Sequence, residues 1–113
     1  MTEQRAIRVR DVVRLYAGTK EGRTGVVMRV FEDLRRAVVL SGTSSYYEHE
    51  PYVAVQCHER AGIALELTSS TTYFFQKSGF SRPRLEDLRP TGRQCPPELF
   101  LKLERLIGQV AKG

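Results

Sequence analysis

Hydrophobic and polar positions alternate along the first strand-like stretch of the chain. Ile7, Val9, Val13 and Leu15 share one parity and Arg8, Arg10 and Arg14 the other, so 7–16 reads as a strand with one buried face; Asp11 is the exception on the apolar parity. The stretch 17–22 holds two glycines and reads as a loop. Residues 25–31 are rich in β-branched side chains and predict a second strand. Glu32-Asp33-Leu34-Arg35 is a polar turn and 36–40 a third short strand, which makes 24–41 a β-hairpin. After a small-residue loop, Ser41-Gly42-Thr43-Ser44-Ser45, come two tyrosines and an acidic segment containing His49. Strands are expected at 52–57, 62–67 and 71–76, the last carrying Tyr73, Phe74 and Phe75, and 77–84 is expected to be loop.

The period then changes. Pro96-Pro97-Glu98 suits a helix start, since proline is tolerated in the first turn and a carboxylate there meets the positive end of the helix dipole. Leu99, Leu103, Leu106 and Val110 recur at helical spacing, with Lys102, Glu104 and Arg105 between them, so a helix over about 96–111 is expected to close the core with its leucine face. Short strands, tight turns and one terminal helix predict a mainly β fold. The expected form is a small SH3-like barrel of five to six strands with a C-terminal α-helix, in a single domain spanning 1–113.

Composition agrees with a folded chain: of 113 residues, 41% are hydrophobic and 27% charged. No apolar run approaches the ~20 residues that span a bilayer. The first ten residues lack the apolar stretch of a signal peptide, so the expectation is a cytoplasmic protein with no membrane partner, and with Cys57 and Cys95 as reduced thiols. The formal net charge is +5, and fourteen of the eighteen cations are arginine, the side chain that grips phosphate through a bidentate fork. The charge is uneven: residues 1–40 carry +4, 41–80 carry −2 and 81–113 carry +3. Such a surface points toward nucleic acid.

Other chemistry is poorly supplied. Cys57, His58, His49 and Cys95 form neither a C-x-x-C nor an H-x-x-x-H pair, which argues against a metal site. Cys57 and His58 are adjacent, so on a strand they point to opposite faces, and Cys57 is expected to be a buried, inert thiol. The segment Gly18-Thr19-Lys20-Glu21-Gly22-Arg23-Thr24-Gly25 lacks the G-K-[ST] of a phosphate-binding P-loop and opens a strand. It reads either as turn chemistry or as a basic loop that sets Lys20 and Arg23 beside backbone amides suited to phosphate oxygens. The serine-threonine loop could cradle the same phosphate, and Tyr46 and Tyr47 could stack on unpaired bases.

Two families resemble parts of this pattern. The run from Val12 through Gly18, followed by Lys20-Glu21-Gly22-Arg23-Thr24-Gly25-Val26-Val27, resembles a KOW module, an SH3-like barrel of transcription and ribosomal proteins. The second resemblance covers nearly the whole chain and is to the MazF/PemK family of toxin endoribonucleases. Gly22-Arg23-Thr24-Gly25-Val26-Val27 is similar to that family's Arg-Pro step, with Arg23 in the arginine's place and Thr24 in the proline's. Val39-Leu40-Ser41-Gly42-Thr43-Ser44 is similar to its hydroxyl-bearing turn, and Gly62-Ile63-Ala64-Leu65 with Tyr73-Phe74 to its strand-and-aromatic segment. The family's acidic residue falls at Leu67, with Glu66 one place out of register; on a strand that slip turns a side chain to the opposite face.

The resemblance implies a metal-independent, sequence-selective endoribonuclease that needs no cofactor and cleaves single-stranded RNA by attack of the 2′-OH. By analogy Arg23 and Thr43 are the catalytic pair, with Lys20, Ser44, Arg29 and Tyr46 as RNA contacts. It also implies a homodimer and an antitoxin partner with an acidic tail. The alternative is a non-catalytic KOW-like RNA-binding module of the ribosome or transcription machinery.

Overall fold

In the computed structural model, residues 6–15, 23–46 and 49–111 are described, with side chains through 108. Among these residues seven strands and two α-helices follow one another as β1 (Asp11–Leu15), β2 (Arg23–Phe31), β3 (Arg36–Thr43), β4 (Tyr52–Gln56), α1 (Arg60–Ala64), β5 (Thr71–Phe75), β6 (Phe80–Ser81), β7 (Leu88–Gln94) and α2 (Pro97–Ala111). The fold is the small, mainly β architecture with a C-terminal helix that the pattern predicts. The antiparallel sheet runs β4-β5-β3-β2-β1-β7, with β6 against β3. Its bend lies in β3, which pairs with β2 as far as Gly25↔Ser41 and then with β5 through Gly42↔Phe74 and Thr43↔Tyr73. Gly42 permits this crossing: a Cβ there would overlap the Thr72 methyl and come within 3.2 Å of the Phe74 ring.

Four sequence expectations need correction. The strand expected at 62–67 is the helix α1 and the turn after it. Gly62 is the reason it packs, since a Cβ there would overlap the Gln56 carbonyl and lie 2.8 Å from Cys57 Cα. The expected loop at 77–84 contains β6, a two-residue strand beside Leu40 and Val39. Strand β7 is the second addition. It carries Pro90 and Gly92 and no clear alternation, so propensity hid it, and its position at the sheet edge tolerates both. Finally, the first strand is shorter than 7–16 and buries both faces. Val12 and Val13 are 1% and 0% exposed, each in a different core cluster.

The larger cluster lies between one face of the sheet and the helices. It holds Val12, Val26, Val38, Leu40 and Phe74 with Leu99, Leu103 and Leu106 of α2. Each fully buried leucine of this kind contributes about 1.5–3 kcal/mol, which is why the helical period at the C-terminus was readable. Val110 lies outside the described side chains. The buried Gln76 amide donates to the Leu106 carbonyl at 2.8 Å and ties the end of β5 to α2. The second cluster, on the other face, holds Val13, Leu15, Val27, Ala37, Val39 and Leu88. Asp11, the misfit in the apolar parity, accepts the Arg8 amide at 2.9 Å and the Gln94 side-chain amide at 3.4 Å, so its buried carboxylate is satisfied. Among the described residues no helix is long and apolar enough to cross a membrane.

Candidate functional site

The face of the sheet that carries the larger core changes character at each end. Register sets which residues lie there. Val12↔Val26 and Arg14↔Thr24 put Arg14 and Thr24 in line with the core valines, and Val26↔Leu40 carries the face onto β3, where Gly42 follows. Across the bend, Gly42↔Phe74 brings in β5 and Thr72. At this end the apolar face therefore runs out into Arg14, Thr24, Gly42 and Thr72. The turn after α1 closes over them and makes an open cleft of about 200 Å³, whose rim includes Thr43, Ser44 and Glu66. The Thr43 hydroxyl accepts the Ser45 amide at 3.2 Å, a local turn that holds the loop at the rim.

Glu66 enters the cleft because its segment is not a strand. The Leu67 amide donates to the Gly62 carbonyl at 3.0 Å, wrapping the end of α1, and Glu66 takes the left-handed conformation at φ 55°. That conformation costs a non-glycine residue about 1–2 kcal/mol. Parity reasoning, which turned Glu66 away, does not apply to such a turn. Its Oε1 forms an ion pair with Arg93 Nε of β7, and both side chains are about half exposed, 50% and 49%. The pair positions the carboxylate more than it stabilises the fold, since exposed pairs contribute at most about 1 kcal/mol.

The six residues singled out from sequence are dispersed. Thr43 and Ser44 line the cleft together. Arg23 is exposed at the start of β2, paired with Leu15, and is not part of the cleft lining. Continuing the Gly25↔Ser41 register would set position 43 beside position 23, but the β2–β3 ladder stops at that pair and Thr43 turns to Tyr73. Arg29 lies at the far end of β2, in a separate groove. Lys20 and Tyr47 lie outside the described residues. Tyr46 is 52% exposed and heads an aromatic cluster beside the cleft. Its ring meets Tyr52 and Tyr73 edge-on at 5.5 and 5.4 Å, with the buried Phe75 beneath. The neighbouring Tyr52, desolvation and the hydrogen bond to Tyr52 push the Tyr46 hydroxyl pKa up.

Sequence reasoning missed Arg14, Thr24, Glu66 and Thr72 as site residues. One signal was present: Thr24 continues the alternation of Val26 with a hydroxyl, a polar residue where the core parity calls for an apolar one. Cys57 is partly exposed, not buried as expected; Cys95 is the buried thiol, and burial pushes its pKa up to about 12, with Arg10 opposing the shift. No family model, curated protein or solved structure matches the chain.

Proposed function

We propose that the cleft between β1, β2, β3 and the turn after α1 binds single-stranded RNA and cleaves it without a metal. The observation that carries this reading is the meeting, in one solvent-open cleft, of a guanidinium (Arg14), small hydroxyls (Thr24, Thr43 and Ser44) and a carboxylate (Glu66). Phosphate recognition needs the first two; moving a proton needs the third.

In the proposed reaction Glu66 takes the proton of the ribose 2′-OH, and the 2′-oxygen bonds to the adjacent phosphorus. The P–O5′ bond breaks, and the 5′-oxygen leaves with a proton from solvent. A cyclic phosphate and a 5′-hydroxyl result. The attack is intramolecular, so holding the strand in the right geometry supplies much of the acceleration. Arg14 and the hydroxyls of Thr43 and Ser44 stabilise the charge that builds on the phosphorane oxygens. Arg23, exposed at the start of β2, serves as a phosphate contact outside the cleft. The Tyr46, Tyr52 and Tyr73 rings offer stacking faces for splayed bases, which favours a single strand over a duplex. The same reading carries a cytoplasmic location, a homodimer and an acidic-tailed antitoxin as partner.

EDTA-treated protein incubated with a long single-stranded RNA should give fragments with cyclic phosphate and 5′-hydroxyl ends, and the all-deoxy oligonucleotide should stay whole. Intact RNA together with salt-dependent binding would end the catalytic reading and favour the non-catalytic KOW-like binder. Absence of both would end the RNA reading.

A further inference from the structure

The opposite end of the same sheet face holds an open groove of about 610 Å³ between the β2–β3 hairpin, β6 and the later turns of α2. A bulge makes it. Val27 pairs with Val39 and Arg29 with Val38, so Met28 is the extra residue, and Arg29 and Phe31 are brought onto the face of Val38 and Arg36. Leu40↔Phe80 adds Phe80 and, two residues on, Arg82. The walls are apolar: Met28, Phe31, Leu34, Val38, Phe80 and Ile107. Phe31 and Leu34 are 43% and 68% exposed, a large apolar area for water to cover.

The mouth is cationic. Among the described lining residues, Arg29, Arg36 and Arg82 stand against one carboxylate, Glu104. Among the described residues none of the three arginines is in an ion pair. Two of them are held in place: Arg36 Nη1 donates to the Arg82 carbonyl at 2.8 Å, and the Arg82 guanidinium lies over the Phe80 ring, 5.8 Å from its centroid.

We propose that this groove is a binding site for a small amphipathic anion, an aliphatic or aromatic body ending in a carboxylate or phosphate. The volume falls in the ~300–1,000 Å³ range of small-molecule sites, and apolar walls with a few fixed polar groups are their usual lining. Charge complementarity selects the anion. A peptide suits the groove less well, because the floor is the face of a sheet whose backbone groups lie sideways in their ladders. β3 is engaged on both edges, by β2 and by the segment from Phe80 to Leu85. A peptide backbone laid there would lose water without gaining partners, whereas an acyl chain or ring brings no such groups.

Decanoate tests the proposal, with decanol as its uncharged counterpart, in ¹⁵N-resolved amide titrations of the intact chain. Decanoate should shift the amides of Leu34, Ala37, Ile107 and Gly108 saturably, and decanol should bind at least about tenfold more weakly. Arg29→Ala and Arg82→Ala should each weaken decanoate about tenfold. Glu104→Gln should tighten it about threefold, a gain that damage to the fold would not produce. Shifts centred on Thr43 and Glu66, equal affinity for decanol, or weaker binding by Glu104→Gln would overturn the proposal. So would displacement of decanoate by an acidic, leucine-containing hexapeptide at lower concentration. RNA cleavage is read separately, so the outcome leaves the cleft's assignment untouched.

Discussion

The two ends of the β2–β3 hairpin share one sheet face and one core, yet finish in different chemistry. Between Thr24 and Arg29 the strand runs five residues, one of them the extra residue of the bulge, so it advances about 14 Å. At the first end the face runs into Arg14, Thr24, Gly42 and Thr72, with Glu66 folded in from α1. At the other it runs into Phe31, Arg36 and Arg82 against α2. The backbone device differs as well. A glycine lets β3 cross from one partner strand to another at the cleft, and a bulge at Met28 re-aims β2 at the groove. Polar groups that converge with a carboxylate suit chemistry on a phosphate. Apolar walls beneath a cluster of guanidiniums suit retention of an anion with an apolar body. An arginine is therefore uninformative until its neighbours are known: Arg14 and Arg29 look alike in sequence and stand at opposite ends.

The two ends should differ most in catalysis. Arg14→Ala, Thr43→Ala and Glu66→Gln should each lower RNA cleavage about 10²–10³-fold with the circular dichroism spectrum unchanged. Arg29→Ala should leave turnover within about threefold, since it lies at the other end. If Arg29→Ala matched Arg14→Ala in single-turnover rate, the two ends would not be functionally separate.

Next in size is the crossing itself. Gly42→Val should destabilise the fold by about 1–3 kcal/mol in urea unfolding, because its side chain meets Thr72 and Phe74 in a filled space. Leu34→Ser on the groove lip, where the side chain is 68% exposed, should change stability by less than about 0.5 kcal/mol. Equal costs would mean that the groove end is as tightly packed as the cleft end.

Glu66→Gly separates function from stability at one residue. Relief of the left-handed backbone and the added freedom of glycine in the unfolded chain are each about 1 kcal/mol and oppose one another. Unfolding free energy should therefore stay within about 1 kcal/mol of the parent while cleavage is lost.

The smallest effect concerns the turn that leads from β5 to β6, which Glu50 holds. Glu50 accepts the amides of Lys77 and Ser78 at 2.9 and 2.7 Å and the Ser78 hydroxyl, and these bonds, the hydroxyl's first, lower its pKa from the usual 4.5. A carboxyl with a depressed folded pKa contributes stability that is present above 4.5 and lost as pH falls through the folded value. Acid titration should loosen the Lys77–Gly79 turn first, seen as faster amide exchange there, and Glu50→Gln should abolish that pH dependence.

Local pattern was enough to place two elements, a pair of β-branched runs broken by a polar turn and a leucine stripe at helical spacing. The β2–β3 hairpin is one, with its polar turn at Glu32–Leu34 and Arg35 in the left-handed region. The C-terminal helix, with Leu99, Leu103 and Leu106 inside, is the other. Hydroxyls at Thr43 and Ser44 were legible as site candidates because the loop that carries them is local. Tertiary structure alone decided that α1 replaces a strand, that β7 exists, and that Glu66 turns into the cleft, since a close approach at Gly62 and a left-handed turn leave no periodic trace. It also decided which arginine joins which site. Parity assigns a side chain to a face, but a single-residue bulge and a strand that changes partners reassign it, and neither is visible until the long-range pairs have formed.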